Sequence, residues 1–79
     1  MQIKLLFFGA LAEIIGESEI ILNDDTIYDT ESLNSHLIQK YPKIARYKYS
    51  LSVNRNITLA NKKLNNNDEV GLLPPFAGG

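Results

Sequence analysis

The segment QIKLLFF, residues 2–8, decides how the rest of the chain folds. Its aliphatic and aromatic composition is typical of a β-strand. Because successive side chains of a strand point to opposite faces of the sheet, the segment separates into two rows. The first row is Ile3, Leu5 and Phe7, and the second is Lys4, Leu6 and Phe8. We expect the first row to enter the core, whereas the second row is unusually apolar for a face in contact with water and requires a cover.

A short helix and a second strand are predicted next. The helix covers residues 10–15, because Gly16 is a typical stop at a helix C-terminus. The strand covers residues 19–22 and ends at Asn23-Asp24-Asp25, which are turn-forming residues.

One long helix is predicted in the middle of the chain. Its apolar residues follow the helical spacing i, i+4 and i+8, and Pro42 marks its end. These residues are Leu33, Leu37 and Tyr41. We predict that the helix begins at Thr30, although Thr26-x-x-Asp29 resembles a capping box that would place the start earlier.

The C-terminal half predicts two or more further strands. Residues 49–53 alternate between polar and apolar and lead into the turn signal Asn54-Arg55-Asn56, with Ile57 and Leu59 beyond it. A turn-forming cluster at residues 65–68 precedes the last strand, residues 69–73.

The order of these elements predicts the fold class. A hairpin, a crossover helix and returning strands give an α+β domain with a mixed sheet of four to five strands and one main helix on one face. This is the β-grasp arrangement found in ubiquitin. With 79 residues the chain has room for one domain, residues 1–79, in which residues 74–79 form an extended C-terminal tail.

Composition narrows the possible functions. The chain has no cysteine, so it offers no disulfide and no thiolate nucleophile or metal ligand. Its N-terminal apolar run is too short for a signal peptide or a membrane span, so we expect a cytoplasmic protein. Scattered acids without His or Cys companions do not suggest a transition-metal site. His36 is the only histidine, and we expect a structural role for it.

The charges are sorted along the chain. Seven acids and no Lys or Arg lie between Leu5 and Gln39, and seven bases and no acid lie between Lys40 and Lys63. The bases do not form a run and the net charge is −1, so nucleic-acid binding is not expected. The sorting predicts a polarised surface that steers a protein partner.

The C-terminal sequence PPFAGG carries the predicted chemistry. Pro74 and Pro75 have fixed φ angles and direct the tail out of the sheet as a semi-rigid arm. Gly78 and Gly79 have no side chains, so the end of the tail can thread a channel too narrow for other residues. The alternative is a disordered terminus that ends in two glycines by chance, which the preceding prolines and the fold make a poor explanation.

The whole chain resembles the small subunits of molybdopterin synthase, which are ubiquitin-like sulfur carriers. The matching segments are residues 3–8, residues 12–16, Val53-Asn54, Asp68-Glu69-Val70 and the PPFAGG end. Two departures are visible: the segment from Asp24 to Thr30 is longer than usual, and Asn66-Asn67-Asp68 stands where such proteins often have Asp-Gly-Asp.

The resemblance implies a function. A ubiquitin-activating-type adenylyltransferase would use ATP and Mg to adenylate the carboxylate of Gly79, and a sulfurtransferase would convert it to a thiocarboxylate. The arm, Pro74, Pro75, Phe76, Ala77 and Gly78, would then enter the large, catalytic subunit of molybdopterin synthase and deliver sulfur to a pterin precursor. The chain itself would be a non-catalytic subunit of a heterotetramer, binding no cofactor, metal, nucleic acid or membrane.

Four apolar residues are predicted to form the partner interface, because their neighbours at a period of two fill the core. They are Leu6, Phe8, Ile57 and Leu73. The alternative is that a loop covers them. The four tyrosines are predicted to be packing residues. Two other functions remain open: a sulfur carrier for thiamin synthesis, and a ubiquitin-like modifier conjugated to lysines.

Overall fold

The computed structural model describes residues 1–75, which form five strands, two α-helices and a 3₁₀ helix. The strands are β1 (Gln2–Phe7), β2 (Glu19–Asn23), β3 (Ser50–Val53), β4 (Asn56–Thr58) and β5 (Glu69–Leu73). The helices are α1 (Ala10–Ile15), α2 (Thr30–Lys40) and the 3₁₀ helix (Pro42–Arg46).

The strands form one mixed sheet in the order β2-β1-β5-β3-β4. The central strand β5 is parallel to its neighbour β1, and every other pair of neighbouring strands is antiparallel. Because parallel neighbours need a crossover connection, the chain passes over one face of the sheet between them, and α2 lies in that crossover. The predicted β-grasp fold is confirmed.

The strand period in β1 is also confirmed. The side chains of Ile3, Leu5 and Phe7 are 1%, 1% and 2% exposed, and they pack in one core with buried residues of β5 and α2. Each such side chain removed from water stabilises the fold by about 1.5–3 kcal/mol. The opposite row of β1 therefore points away from the helices, to the open face of the sheet.

The start of α2 lies where the apolar spacing predicted it. Asp29 is the N-cap, and its carboxylate accepts a hydrogen bond from the backbone N–H of Ser32 at 2.8 Å. The Ser32 hydroxyl in turn accepts a hydrogen bond from the Asp29 N–H. The capping box is therefore Asp29-x-x-Ser32, whereas Thr26 donates its hydroxyl hydrogen bond to Asp24 in the preceding turn.

Several packing roles differ from the prediction. Leu59, expected beyond the turn in a strand, is 95% exposed and lies outside β4. Tyr28 and Tyr47 are exposed, so the expectation that all four tyrosines pack is wrong for these two. Leu64, Ile27 and Ile44 are buried although they lie outside the sheet and the α-helices. Each is a single apolar anchor without periodic neighbours, which explains why the strand and helix periods did not identify it.

Helical structure resumes after α2, at Pro42. Proline cannot continue an α-helix, but it fits the first turn of a new one, and the 3₁₀ helix begins there. That short helix buries Ile44.

Among residues 1–75, no helix has the length and apolar character needed to cross a membrane.

Candidate functional site

The predicted arm leaves the sheet at the end of β5, between β1 and β3. In these pairs Leu72 lies beside Phe7, and Leu73 lies beside Ser50. Pro74 follows and lies close to Gly9, since a Cβ atom added to Gly9 would be 3.3 Å from the Cγ of Pro74. Pro75 is exposed. The first residues of the arm thus continue from a strand buried at the centre of the sheet.

The predicted reactive group lies outside the described residues. The carboxylate of Gly79, together with Phe76, Ala77 and Gly78, belongs to residues 76–79. Their roles therefore remain predictions.

The predicted interface residues come together on the open face of the sheet. Leu6, Phe8, Ile57 and Leu73 line one groove of about 620 Å³ on the face opposite α2. Phe8 is 44% exposed and Ile57 is 56% exposed. The alternative of a covering loop is therefore wrong for the part of the chain that the structure describes.

The floor of this groove is formed by Gly71 and Ser52, which pair across β5 and β3. A Cβ atom added to Gly71 would lie 2.7 Å from the Ser52 hydroxyl oxygen and 3.5 Å from the Phe8 ring. The absence of a side chain at Gly71 thus makes room for the hydroxyl of Ser52, whereas the Phe8 ring would lie at an ordinary contact distance from an added Cβ atom. The sequence prediction missed Gly71, although stepping back two residues from Leu73 would have placed it on the same face.

Charged side chains surround the apolar centre of the groove. The Lys4 ammonium lies 3.2 Å from a carboxylate oxygen of Glu19, and the Arg55 Nε lies 3.8 Å from a carboxylate oxygen of Glu69. Ile21, which pairs with Lys4 and is 52% exposed, extends the apolar surface toward the edge strand β2. The alternation of β2 could have identified Ile21 before the structure was known. An apolar centre with a charged rim is the usual composition of a protein–protein interface.

A second groove, of about 570 Å³, lies on the helix side between α2 and the ends of β3 and β4. The phenol of Tyr49 donates a hydrogen bond to the side-chain oxygen of Asn34 there. Burial raises the pKa of Tyr49, so the phenol remains protonated at neutral pH. It acts as a hydrogen-bond donor that fixes the groove wall rather than as a general base.

His36, for which a structural role is predicted, lies beside Asp24. His36 is half-buried, with Nδ1 3.7 Å from a carboxylate oxygen of Asp24. The Thr26 hydroxyl and N–H donate hydrogen bonds to Asp24 and lower the pKa of its carboxyl group. Within residues 1–75, no three His, Cys, Asp or Glu side chains are grouped closely enough to hold a metal ion.

Comparisons with known proteins cover almost the whole chain. The ThiS family model matches residues 5–79. The molybdopterin synthase sulfur carrier subunit of Dictyostelium discoideum is 36% identical, over 99% of this chain and 96% of that protein. The subunit of the same name from Haemophilus influenzae is 32% identical, over 99% and 100%.

A solved structure gives the same result for the fold. One chain in the complex of subunits 1 and 2 of the molybdopterin-converting factor from Helicobacter pylori 26695 superposes with a TM-score of 0.74 at 24% identity, with both chains fully covered. The protein therefore belongs to the ThiS family, and it resembles molybdopterin synthase sulfur carrier subunits over 99% of its length.

Proposed function

We propose that this protein carries sulfur on its C-terminal carboxylate for the synthesis of molybdopterin. The observation that supports the proposal most strongly is the combination of a Gly-Gly end with a β-grasp sheet whose open face carries an apolar groove. The names of the full-length relatives favour molybdopterin over the thiamin pathway. The chain would be a co-substrate, and the catalytic side chains would belong to its partners.

The chemistry follows from the weakness of a carboxylate as an electrophile. An adenylyltransferase uses ATP and Mg to convert the Gly79 carboxylate to an acyl-adenylate, with release of pyrophosphate. A persulfide sulfur of a sulfurtransferase displaces AMP, and a thiol cleaves the resulting acyl disulfide so that one sulfur stays on Gly79. A thiocarboxylate is ionised at neutral pH, so its sulfur is a good nucleophile.

The sulfur is then transferred inside the large subunit of molybdopterin synthase. The thiocarboxylate sulfur attacks a carbon of the pterin precursor and displaces an oxygen leaving group, which gives a thioester between Gly79 and the precursor. Water then hydrolyses this thioester, so that the sulfur stays on the precursor as a thiolate and Gly79 returns to a carboxylate. We propose a heterotetramer with two carriers at opposite ends. The solved complex of subunits 1 and 2 of a converting factor, one of which has this fold, supports the pairing of a carrier with a second subunit.

The open face supplies a physical basis for docking. Burial of the exposed parts of Phe8 and Ile57 against a partner gains about 25 cal/mol per Å² of apolar surface. A partner that holds the open face also fixes the end of β5, because Leu73 belongs both to the groove and to the strand that leads into the arm. Docking and insertion of the arm would thus be coupled.

Intact mass tests the proposal. The chain is incubated with ATP, Mg, the adenylyltransferase, the sulfurtransferase, a sulfur source and a thiol that cleaves the acyl disulfide. We expect a product heavier by the difference between one sulfur and one oxygen atom. A chain lacking Gly79, or carrying one residue after it, should remain unmodified while its thermal melting is unchanged. Thiocarboxylate formation by the shortened chain at the normal rate would contradict the proposal, and isopeptide-linked products on lysines would favour a protein modifier instead.

A further inference from the structure

The hairpin between β3 and β4 holds a residue in an unfavourable backbone conformation. Val53 pairs with Asn56, so the loop consists of Asn54 and Arg55 alone. Their φ angles are 50° and 71°. Positive φ at both central residues is the signature of a type I′ turn, in which glycine is strongly preferred at the second position. Arginine there costs free energy that glycine would not.

Contacts within the chain explain Asn54 but not Arg55. Asparagine tolerates positive φ, and the Asn54 side chain bonds to Asp68 at 3.0 Å and to the N–H of Glu69 at 3.0 Å. The Arg55 side chain is 89% exposed. Within residues 1–75 its one ion pair is with Glu69 at 3.8 Å, which is too long for a hydrogen bond. An exposed pair of this kind contributes little to stability.

The position of Arg55 suggests what it does. Its side chain lines the open-face groove together with Phe8, Ile57 and Leu73. Arginine carries five N–H donors in a planar fork that fits a carboxylate with two parallel hydrogen bonds. Unfavourable backbone conformations persist in proteins mainly at sites where they serve a function.

We infer that Arg55 is a partner-recognition residue, held at the rim of the open-face groove to bind a carboxylate of the large subunit. The inference rests on the proposed function, because the large subunit is the partner that it concerns. Phe8 and its apolar neighbours provide burial, and Arg55 provides a directional, charged contact that selects one orientation of docking. The chain retains the unfavourable turn residue because glycine, which suits the turn, has no guanidinium group.

Four variants test this inference, each measured for thermal melting and for affinity to the isolated large subunit. Arg55→Gly should melt at a higher temperature and bind roughly tenfold more weakly, the usual effect of losing a charge-assisted hydrogen bond. Arg55→Ala should bind as weakly but gain no stability. Arg55→Lys should recover only part of the affinity, since it restores the charge without the fork. Arg55→Glu should bind more weakly than Arg55→Ala, because it would face a carboxylate.

The outcomes separate this inference from the proposed function. If the unsubstituted chain binds the large subunit and Arg55→Gly binds it with the same affinity, the role inferred for Arg55 is wrong, while the proposed function is unaffected. Equal affinities of Arg55→Glu and Arg55→Ala would show that Arg55 does not face a carboxylate of the partner. An Arg55→Gly chain no more stable than the original would show that arginine does not strain the turn. Failure of the unsubstituted chain to bind the large subunit would overturn both proposals.

Discussion

Asp29 joins the start of α2 to the segment that precedes β5. One carboxylate oxygen accepts the N–H of Ser32 at 2.8 Å, and the other accepts a hydrogen bond from the Asn61 amide at 2.9 Å. The Asn61 side-chain oxygen accepts the N–H of Glu31 and the hydroxyl of Thr30. Hydrogen bonds from Ser32 and Asn61 favour the ionised carboxylate and lower the pKa of Asp29.

This lowered pKa predicts a loss of stability in acid. Because the folded-state pKa of Asp29 lies below its ordinary value of 3.8, the unfolded chain binds more protons in the interval between them. The stabilisation is complete above that interval and is lost as the pH falls through the folded-state pKa. Asp29→Asn keeps a capping oxygen but removes the charge. We expect this variant to melt below the unsubstituted chain near neutral pH, and the difference to shrink below about pH 3.8.

Glu13→Gln is the matched control for this experiment. The Glu13 side chain makes neither a hydrogen bond nor an ion pair with the rest of residues 1–75. Melting of this variant should follow that of the unsubstituted chain across the same pH range. A difference for Asp29→Asn that stays constant into strong acid would show that the charge of Asp29 does not contribute.

At the scale of single elements, β1 tests both the fold and the docking face. Phe7 is 2% exposed in the core, and Phe8 is 44% exposed on the open face. Phe7→Ala should lower the free energy of unfolding by about 3–5 kcal/mol. Phe8→Ala should change stability much less, but weaken binding to the large subunit by about 2 kcal/mol or more. Thermal melting and partner affinity are measured for both variants. If Phe8→Ala lowers stability and Phe7→Ala only weakens binding, the register of β1 is shifted by one residue.

The connection between β4 and β5 offers a second matched pair. Leu64 is 1% exposed and its N–H donates a hydrogen bond to the carbonyl oxygen of Tyr28 at 2.9 Å, whereas Leu59 is 95% exposed. Leu64→Ala should cost about 2–5 kcal/mol of stability. Leu59→Ala should change stability by less than about 0.5 kcal/mol. Denaturant unfolding of the two variants measures both values, and similar losses would contradict the packing described for this connection.

These elements show which parts of the fold can be predicted from sequence. Alternation over the six residues of β1 separates core from open face, and the same reasoning gathers Leu6, Phe8, Ile57 and Leu73 at one site. The anchor Leu64 cannot be identified in that way, because one apolar residue in an irregular segment has no period. The strained turn at Arg55 could not be identified from sequence either, because arginine rarely adopts the positive φ angle found there.

At the scale of the whole molecule, the structure shows where the bases between Lys40 and Lys63 lie relative to the arm. The 3₁₀ helix and the residues after it carry Arg46 and Lys48, just before β3. The first residue of β3, Ser50, pairs with Leu73 at the end of β5. Exposed bases therefore lie at the end of the sheet from which the arm leaves. Lys62 and Lys63 lie elsewhere, beside the start of α2, since the carbonyl of Lys62 accepts the N–H of Thr30.

This arrangement predicts that the bases near the arm accelerate association with the large subunit. Arg46 and Lys48 make no ion pair within residues 1–75, so their charges are free to attract an acidic partner surface. Arg46→Gln/Lys48→Gln should lower the association rate and its dependence on salt, with little change in the dissociation rate. Lys62→Gln/Lys63→Gln changes the net charge equally at the other end of α2 and should have a smaller effect, because salt screens charges beyond about 8 Å. Stopped-flow association at several ionic strengths measures these rates. Equal losses in the two double variants would mean that net charge, and not its position beside the arm, controls the encounter.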